Sequence, residues 1–217
     1  MNIMLKQNTH MRVFKTNLKI RYLSKEEISL FTNTFQKWFD ESKTIKKRRS
    51  RGRYWLVYLF LRFTGARLGE ILEIDDTKDI DVRNSEVRVI TLKRKTKIKR
   101  IIPIPSQIIT EMATYLVEFP EMRGKVFKVD QGNFRKIFYS IAKKAGIYQE
   151  YKIGNKKEIF PHPHTLRHTR AIELLANGVP VSAVQNLLGH SSLLTTAEYL
   201  KISNQDIKEI LKIKGLI

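Results

Sequence analysis

The sequence of 217 residues contains no cysteine, so disulfide bonds and thiolate metal sites are excluded. It also lacks long apolar segments. The longest, from Tyr54 to Leu61, is far too short to cross a bilayer, and residues 1–20 lack the apolar core of a signal peptide. No basic amphipathic helix with a long apolar face is evident, so membrane binding is not expected. A soluble protein of the cytoplasm fits these absences best.

Acidic residues are few in relation to basic ones. The chain has 41 lysines and arginines against 21 aspartates and glutamates, which gives a formal net charge of +20. Such an excess destabilises a compact chain through self-repulsion unless a polyanion binds it. This balance favours nucleic acid as the partner, with an anionic membrane surface as the alternative.

One segment concentrates this charge, because KTIKKRRSRGR, from Lys43 to Arg53, contains no acid. It lies between two apolar segments with helical periodicity, and we predict a loop that contacts DNA phosphates. The alternative is an ordinary solvated face. Lysines near the tip of a later hairpin are further candidates. The predicted DNA-binding residues are Lys43, Lys46, Lys47, Arg48, Arg49, Arg51, Arg53, Lys93 and Lys97.

Hydrophobic periodicity predicts a mostly helical α+β fold. Ser24 and Glu27 have the spacing of a capping box ahead of apolar residues at helical spacing in 28–39. Alternation of apolar and polar residues in 79–104 indicates a small antiparallel sheet whose second turn is basic. Further helices are predicted from 54 onward and at 106–118, 133–145, 165–176 and 181–188.

Three finer features complete the predicted fold. Ser106 is expected to cap its helix, and the polar segment 152–157 is expected to be a loop. Residues 203–206 are expected to cap a last helix, whose apolar side carries Ile207, Ile210 and Leu211.

The stretch from Pro161 to Leu200 contains a set of residues suited to attack on a phosphodiester. Tyr199 offers a nucleophilic oxygen, while arginine and imidazole side chains stabilise charge on phosphate oxygens. His164 and Arg167 are three residues apart, so a helix places them on one face. His190 follows the glycine that ends the next helix.

These residues resemble a known family. They look like the second signature of the tyrosine recombinase (phage integrase) family, close to its Xer branch. The matching elements are His164-x-x-Arg167, Leu188-Gly189-His190 and Tyr199, which lies nine residues after His190. The string TGARLGEIL, which contains Arg67 and Glu70, resembles the first signature.

The resemblance implies a role for each matching residue. Tyr199 attacks the phosphorus, leaving a 3′-phosphotyrosyl bond and a free 5′-hydroxyl. Arg67, Arg167 and His190 stabilise the non-bridging oxygens, and His164 assists proton transfer. Glu70 orients site residues. Lys95 protonates the leaving oxygen, with Lys93, Lys97 and Lys99 as competing candidates. The implied chemistry needs no cofactor and no metal.

The resemblance covers residues 22–217, which we predict to be the catalytic domain, preceded by a tail at 1–21. The separate helical domain that usually precedes it in the family is expected to be absent. The chain would then be a fragment or a minimal recombinase, or a partner would supply that half of the clamp around double-stranded DNA. Docking of the last helix on a neighbouring subunit is also expected, giving a dimer or tetramer on DNA.

Other interpretations of these motifs remain. A type IB topoisomerase-like enzyme would use the same chemistry to relax DNA, and a DNA-binding accessory protein would not cut at all. His164 and His168 also have the spacing of a zinc-binding helix, but Thr165 stands where such a helix carries its glutamate base. We therefore predict that His168 is a surface or packing residue.

Overall fold

The computed structural model describes residues 20–91, 98–153, 156–189 and Tyr199. Its helices in this part of the chain are α1 (Lys25–Asp40), α2 (Ile45–Thr64), α3 (Leu68–Leu72), α4 (Ser106–Glu118), α5 (Gln131–Lys144), α6 (Pro163–Ala176) and α7 (Val181–Leu188). Its strands are β1 (Ile80–Asp81), β2 (Glu86–Thr91), β3 (Ile98–Pro103), β4 (Gln149–Ile153) and β5 (Lys156–Phe160). The predicted α+β, mostly helical fold is confirmed.

Helix α1 begins at the predicted capping box. The Ser24 hydroxyl accepts a hydrogen bond from the Glu27 amide, and the Glu27 carboxylate accepts one from the Ser24 amide. Both interactions satisfy amides that a helix start leaves unpaired. The apolar side of α1 then buries Phe31 and Phe35 against Tyr58 of α2, with ring centroids 5.3 and 4.6 Å apart.

The basic segment is not a loop, so that prediction is wrong. Residues from Ile45 onward form the first half of α2, with Thr44 as the N-cap. Lysine and arginine are good helix formers, and the segment continues into residues 55–61, which are buried on all sides. Cations near a helix N-terminus are unfavourable, and two carboxylates from outside α2 offset this: Arg48 pairs with Glu118 and Arg49 with Glu121.

The predicted antiparallel sheet is confirmed, with strand order β1-β2-β3. Strand β2 alternates between half-buried and buried residues, and Val87 and Val89 face the core. Its partner β3 pairs along the whole length of β2, from Glu86 opposite Pro103 to Thr91 opposite Ile98. The predicted basic turn at 93–97 lies outside the described residues.

Two local predictions are wrong. Lys152 and Lys157, which were expected to lie in a loop, instead face each other in the antiparallel pair β4–β5. The many charged residues gave no recognisable strand pattern. On the two strands, the rings of Tyr151 and Phe160 contact the guanidinium of Arg21 through cation–π interactions. Ser106 is also not a cap, since α4 has Pro105 in that position and no side-chain cap bond.

The last described helices match the predicted limits closely. Helix α6 begins two residues earlier than predicted, at Pro163, and helix α7 spans the predicted residues. Gly189 ends α7 with φ of 70°, a left-handed conformation that favours glycine. The predicted last helix at 203–211 and nearly all of the predicted tail at 1–21 lie outside the described residues. Across the described ranges, no helix is long and apolar enough to cross a membrane.

Candidate active site

Arg67 and Glu70 are held together at the start of α3. Arg67 is the N-cap residue, and its amide donates to Glu70 Oε2 over 2.9 Å. Its guanidinium donates to Glu70 Oε1 over 3.0 Å. Burial by itself would raise the pKa of Glu70, but hydrogen bonds and charge from Arg100 and Arg67 outweigh it, so the pKa is lowered. Glu70 is therefore a buried carboxylate that fixes the guanidinium of Arg67.

Arg167 lies on α6 with only 1% of its surface exposed. It donates to the carbonyl oxygen of Gly65 over 2.9 Å and to that of Leu188 over 2.8 Å. Burial and then the nearby charge of Arg67 lower its pKa to about 10, so it remains a cation at neutral pH. Within the described part of the chain, its buried Nε has no hydrogen-bond partner.

His164 shares α6 with Arg167, as predicted, and lies at the exposed side of the helix. Its ring lies between those of His162 and His168, with centroids 6.2 and 4.6 Å away. Partial loss of surrounding water, followed by the nearby charges of His168 and Arg167, lowers its pKa. A pocket of about 420 Å³ lies beside it. The pocket is bordered by Arg67, Glu70, Gln131, Arg135, His162 and His164, among other residues.

Tyr199 lies in helical conformation with 2% of its surface exposed. It packs in an apolar cluster built by α6 and α7, which includes Ile172, Leu175 and Leu188. Its hydroxyl lies 2.7 Å from Nδ1 of His168. The structure therefore brings the candidate nucleophile to the helix that carries His164 and Arg167.

Two residues of this site were missed in the sequence. His168 was predicted to be a surface or packing residue, and instead it contacts the hydroxyl of Tyr199. Its position one helical turn after His164 was the available signal. Arg100 of β3 forms an ion pair with Glu70 over 2.7 Å, with 8% of its side chain exposed. Nothing in the sequence distinguishes Arg100 from the lysines that precede it.

Four predicted site residues lie outside the described residues: His190, Lys93, Lys95 and Lys97. Gly189, which ends α7 beside Arg100, fixes the point from which the chain continues to His190. Lys99, a competing candidate for the general acid, is an exposed residue of β3.

The predicted DNA-binding arginines already have partners within the protein. Arg51 donates to the carbonyl oxygen of Trp38 over 2.6 Å, and Arg53 donates to that of Lys125 over 2.9 Å. Arg48 and Arg49 hold the carboxylates described above. Lys43, Lys46 and Lys47 are exposed. Among the described residues, no group of three or more histidine, cysteine and acidic residues has the arrangement of a metal site.

A model of the phage integrase family matches residues 21–206. The chain belongs to this family. The match confirms the family predicted from the two signatures, and it includes all the candidate catalytic residues.

Tyrosine recombinase XerA of Thermococcus onnurineus is 31% identical over 175 residues, which make up 79% of this chain and 58% of XerA. The catalytic domain of bacteriophage HP1 integrase has a TM-score of 0.61 at 20% identity, covering 91% of this chain and 97% of that domain. XerH recombinase in a post-cleavage complex with a palindromic difH substrate has a TM-score of 0.68 at 24% identity, covering 99% of this chain and 59% of XerH. These likenesses confirm the catalytic-domain fold. The chain spans between 51% and 58% of the length of three recombinases to which it is similar in sequence.

Proposed function

We propose that this chain is the catalytic part of a site-specific DNA recombinase. It cleaves and rejoins double-stranded DNA through a 3′-phosphotyrosyl intermediate. The observation that carries the proposal is the arrangement around α6. Arg167 is fixed to the carbonyl oxygen of Gly65, two residues before Arg67, and His168, the residue after Arg167, lies 2.7 Å from the Tyr199 hydroxyl. Two fixed cations and a tyrosine oxygen are the groups that phosphodiester transfer needs.

The proposed reaction exchanges one phosphodiester for another. The Tyr199 oxygen attacks the phosphorus, the bond from phosphorus to the 5′-oxygen breaks, and the 5′-oxygen leaves as a hydroxyl after receiving a proton. Arg67, Arg167 and His190 stabilise charge on the non-bridging oxygens, and His164 assists proton transfer. Lys95 supplies the proton to the leaving oxygen, with Lys93, Lys97 and Lys99 as alternatives. Attack by a 5′-hydroxyl of another strand reverses the steps and completes exchange.

DNA binding rests on charge. Lys43, Lys46 and Lys47 are exposed on and beside the first turn of α2 and are free to reach phosphates, while Lys93 and Lys97 remain candidates on the β2–β3 hairpin. The arginines of the same segment contribute through the positive field that they share with these lysines. We also propose that the protein self-associates on DNA, and that another polypeptide or domain completes the clamp around the duplex.

The direct test is covalent capture. The protein is incubated with a pool of duplexes that carry a randomised centre and single nicks at staggered positions. A nick lets the short cleaved fragment diffuse away, so that the covalent complex accumulates. We expect an adduct that survives denaturation, and sequencing its DNA identifies the preferred site.

Tyr199→Phe is the matched control, since it keeps the ring and removes only the nucleophilic oxygen. It should bind the recovered duplex and form no adduct. An adduct of equal yield with this variant would exclude Tyr199 as the nucleophile. Relaxation of supercoiled plasmid without exchange between two recovered sites would instead support a topoisomerase-like activity.

A further inference from the structure

Arg100 connects three separate segments near the proposed catalytic site. Its Nε donates to the carbonyl oxygen of Leu187 over 2.9 Å. Its two terminal nitrogens donate to Thr91 Oγ1 and to Glu70 Oε2, each over 2.7 Å. One guanidinium therefore joins the end of β2, the start of α3 and the end of α7.

A second arginine holds the neighbouring carbonyl group of the same helix end. Arg167 donates to Leu188, the residue after Leu187, and its other terminal nitrogen donates to Gly65 in the turn before Arg67. Glu70, held by Arg100, in turn holds both the amide and the guanidinium of Arg67. These hydrogen bonds form a closed ring together with two backbone segments, from Gly65 to Arg67 and from Leu187 to Leu188.

The chemistry of this ring requires arginine at position 100. A buried cation is costly unless it is paired and hydrogen-bonded, and Arg100 and Glu70 are 8% and 1% exposed in their side chains. Three partners in three directions match the planar fork of a guanidinium, whereas a lysine ammonium is a point charge on a flexible stem. The ring therefore depends on geometry as well as on charge.

Gly189 also rests on this guanidinium. A Cβ atom added at Gly189 would lie 3.0 Å from a terminal nitrogen of Arg100, so the turn passes directly over it. The next residue is His190. Arg100 thus contacts Gly189, the residue before His190. Through Glu70, it also supports the side chain of Arg67.

We propose that Arg100 is a positioning residue. Through Glu70 it holds Arg67, and through Leu187 it holds the end of α7, in the geometry that stabilises the non-bridging oxygens of the scissile phosphate. This inference rests on the proposed function. Two other roles of Arg100 make different predictions. If Arg100 formed a purely structural ion pair, its replacement would slow cleavage of every substrate equally. If it supported the β2–β3 hairpin, its replacement would impair the general acid.

The test compares Arg100→Gln and Arg100→Lys with Arg88→Gln. Arg88 is a suitable control because it lies in the same sheet, where it bonds Asp79 and the carbonyl oxygen of Lys78. The probe is the duplex recovered by covalent capture, made in three forms. One is unmodified, one has a neutral methylphosphonate at the scissile position, and one has sulfur in place of the bridging 5′-oxygen.

We expect both Arg100 variants to form adduct on ordinary DNA about 100-fold more slowly than the unmodified protein. A displacement of catalytic groups by about 1 Å reduces the rate by about this factor. The methylphosphonate lacks the charge that the misplaced cations must neutralise, so there the variants should approach the unmodified protein. The sulfur duplex should not rescue them. Arg88→Gln should match the unmodified protein on all three duplexes.

Three results would overturn the inference. Equal losses on all three duplexes would indicate a structural role, and selective rescue by sulfur would indicate action through the general acid. Full activity of Arg100→Lys would show that charge alone is sufficient.

Hydrogen exchange of the DNA-free protein provides a readout that does not depend on cleavage. The Gly189 amide donates to Gln185 at the end of α7. Arg100→Gln should accelerate exchange at the end of α7 and at Gly189 without affecting α1, whereas Arg88→Gln should leave both regions unchanged. Unchanged exchange at Gly189 in Arg100→Gln would refute the inference about Arg100. Failure of the unmodified protein to cleave any DNA would instead refute only the proposed function.

Discussion

His168 Nδ1 lies 2.7 Å from the hydroxyl oxygen of Tyr199. Burial, followed by the charges of His162 and Arg167, lowers the pKa of His168 to about 4. At neutral pH its ring is therefore uncharged, and a ring nitrogen without a proton accepts a hydrogen bond from a phenol. The ring of His164 meets that of His168 edge to face, with centroids 4.6 Å apart, so His164 contacts the histidine that bonds the proposed nucleophile.

Replacing His168 tests whether this hydrogen bond prepares Tyr199 for attack. His168→Phe keeps an aromatic ring and removes the bond, and we expect adduct formation to slow by about tenfold, the worth of one hydrogen bond of about 1.4 kcal/mol. His168→Asn places an amide near the former Nδ1 and should recover part of the rate. Equal rates for Asn and Phe would show that only ring volume matters.

The same histidine makes stability depend on pH. Its folded pKa of about 4 lies below the ordinary value for histidine, so in the interval between the two the unfolded chain binds a proton that the folded chain does not. The contribution of His168 to the free energy of unfolding should therefore fall as the pH is lowered from about 7 to about 4 and level off below that. Denaturant titrations should show a smaller loss in His168→Asn than in the unmodified protein. A loss of the same size would contradict this assignment.

The exposed lysines at the start of α2 should control the salt dependence of DNA binding. The slope of log K against log salt becomes shallower by about 0.9 for each phosphate that the protein no longer neutralises. If all three lysines bind phosphates, replacing Lys43, Lys46 and Lys47 together with glutamine should reduce the slope by about 3. Lys37→Gln, on the exposed side of α1 with 76% of the side chain accessible, serves as the control. An unchanged slope in the triple variant would remove these lysines from the interface.

Gly52 tests how closely the basic half of α2 is packed. A Cβ atom there would lie 2.4 Å from the ring of Tyr115, whose hydroxyl is held by the carbonyl oxygen of Arg49. Alanine favours helix by about 1 kcal/mol over glycine, but we expect overpacking to outweigh this and destabilise Gly52→Ala by about 1 to 3 kcal/mol. Ser50→Ala, at an exposed position of α2, is the control in thermal unfolding. A Gly52→Ala protein as stable as the original would show that Tyr115 moves aside easily.

The sequence was informative where the signal is local. Gly189 ends α7 and the capping box begins α1 because both depend on residues within one helical turn. Order and spacing were sufficient to identify the family. The basic segment was misread because its partners Glu118 and Glu121 are about 70 residues away, and no local pattern reveals them. For the same reason Arg100 was missed, since Leu187 is 87 residues further along the chain.

The unpaired Nε of Arg167 has a consequence for ligand binding. The donor is buried, and within the described residues nothing accepts from it. Such a group is energetically unfavourable, because it is removed from water and no residue in the described ranges accepts its hydrogen. An oxyanion that reaches it would remove that cost as well as adding a contact. Part of the affinity for a phosphate at this position would therefore come from removing the cost of the unpaired Nε. For this reason, inorganic phosphate should raise the melting temperature of the DNA-free protein.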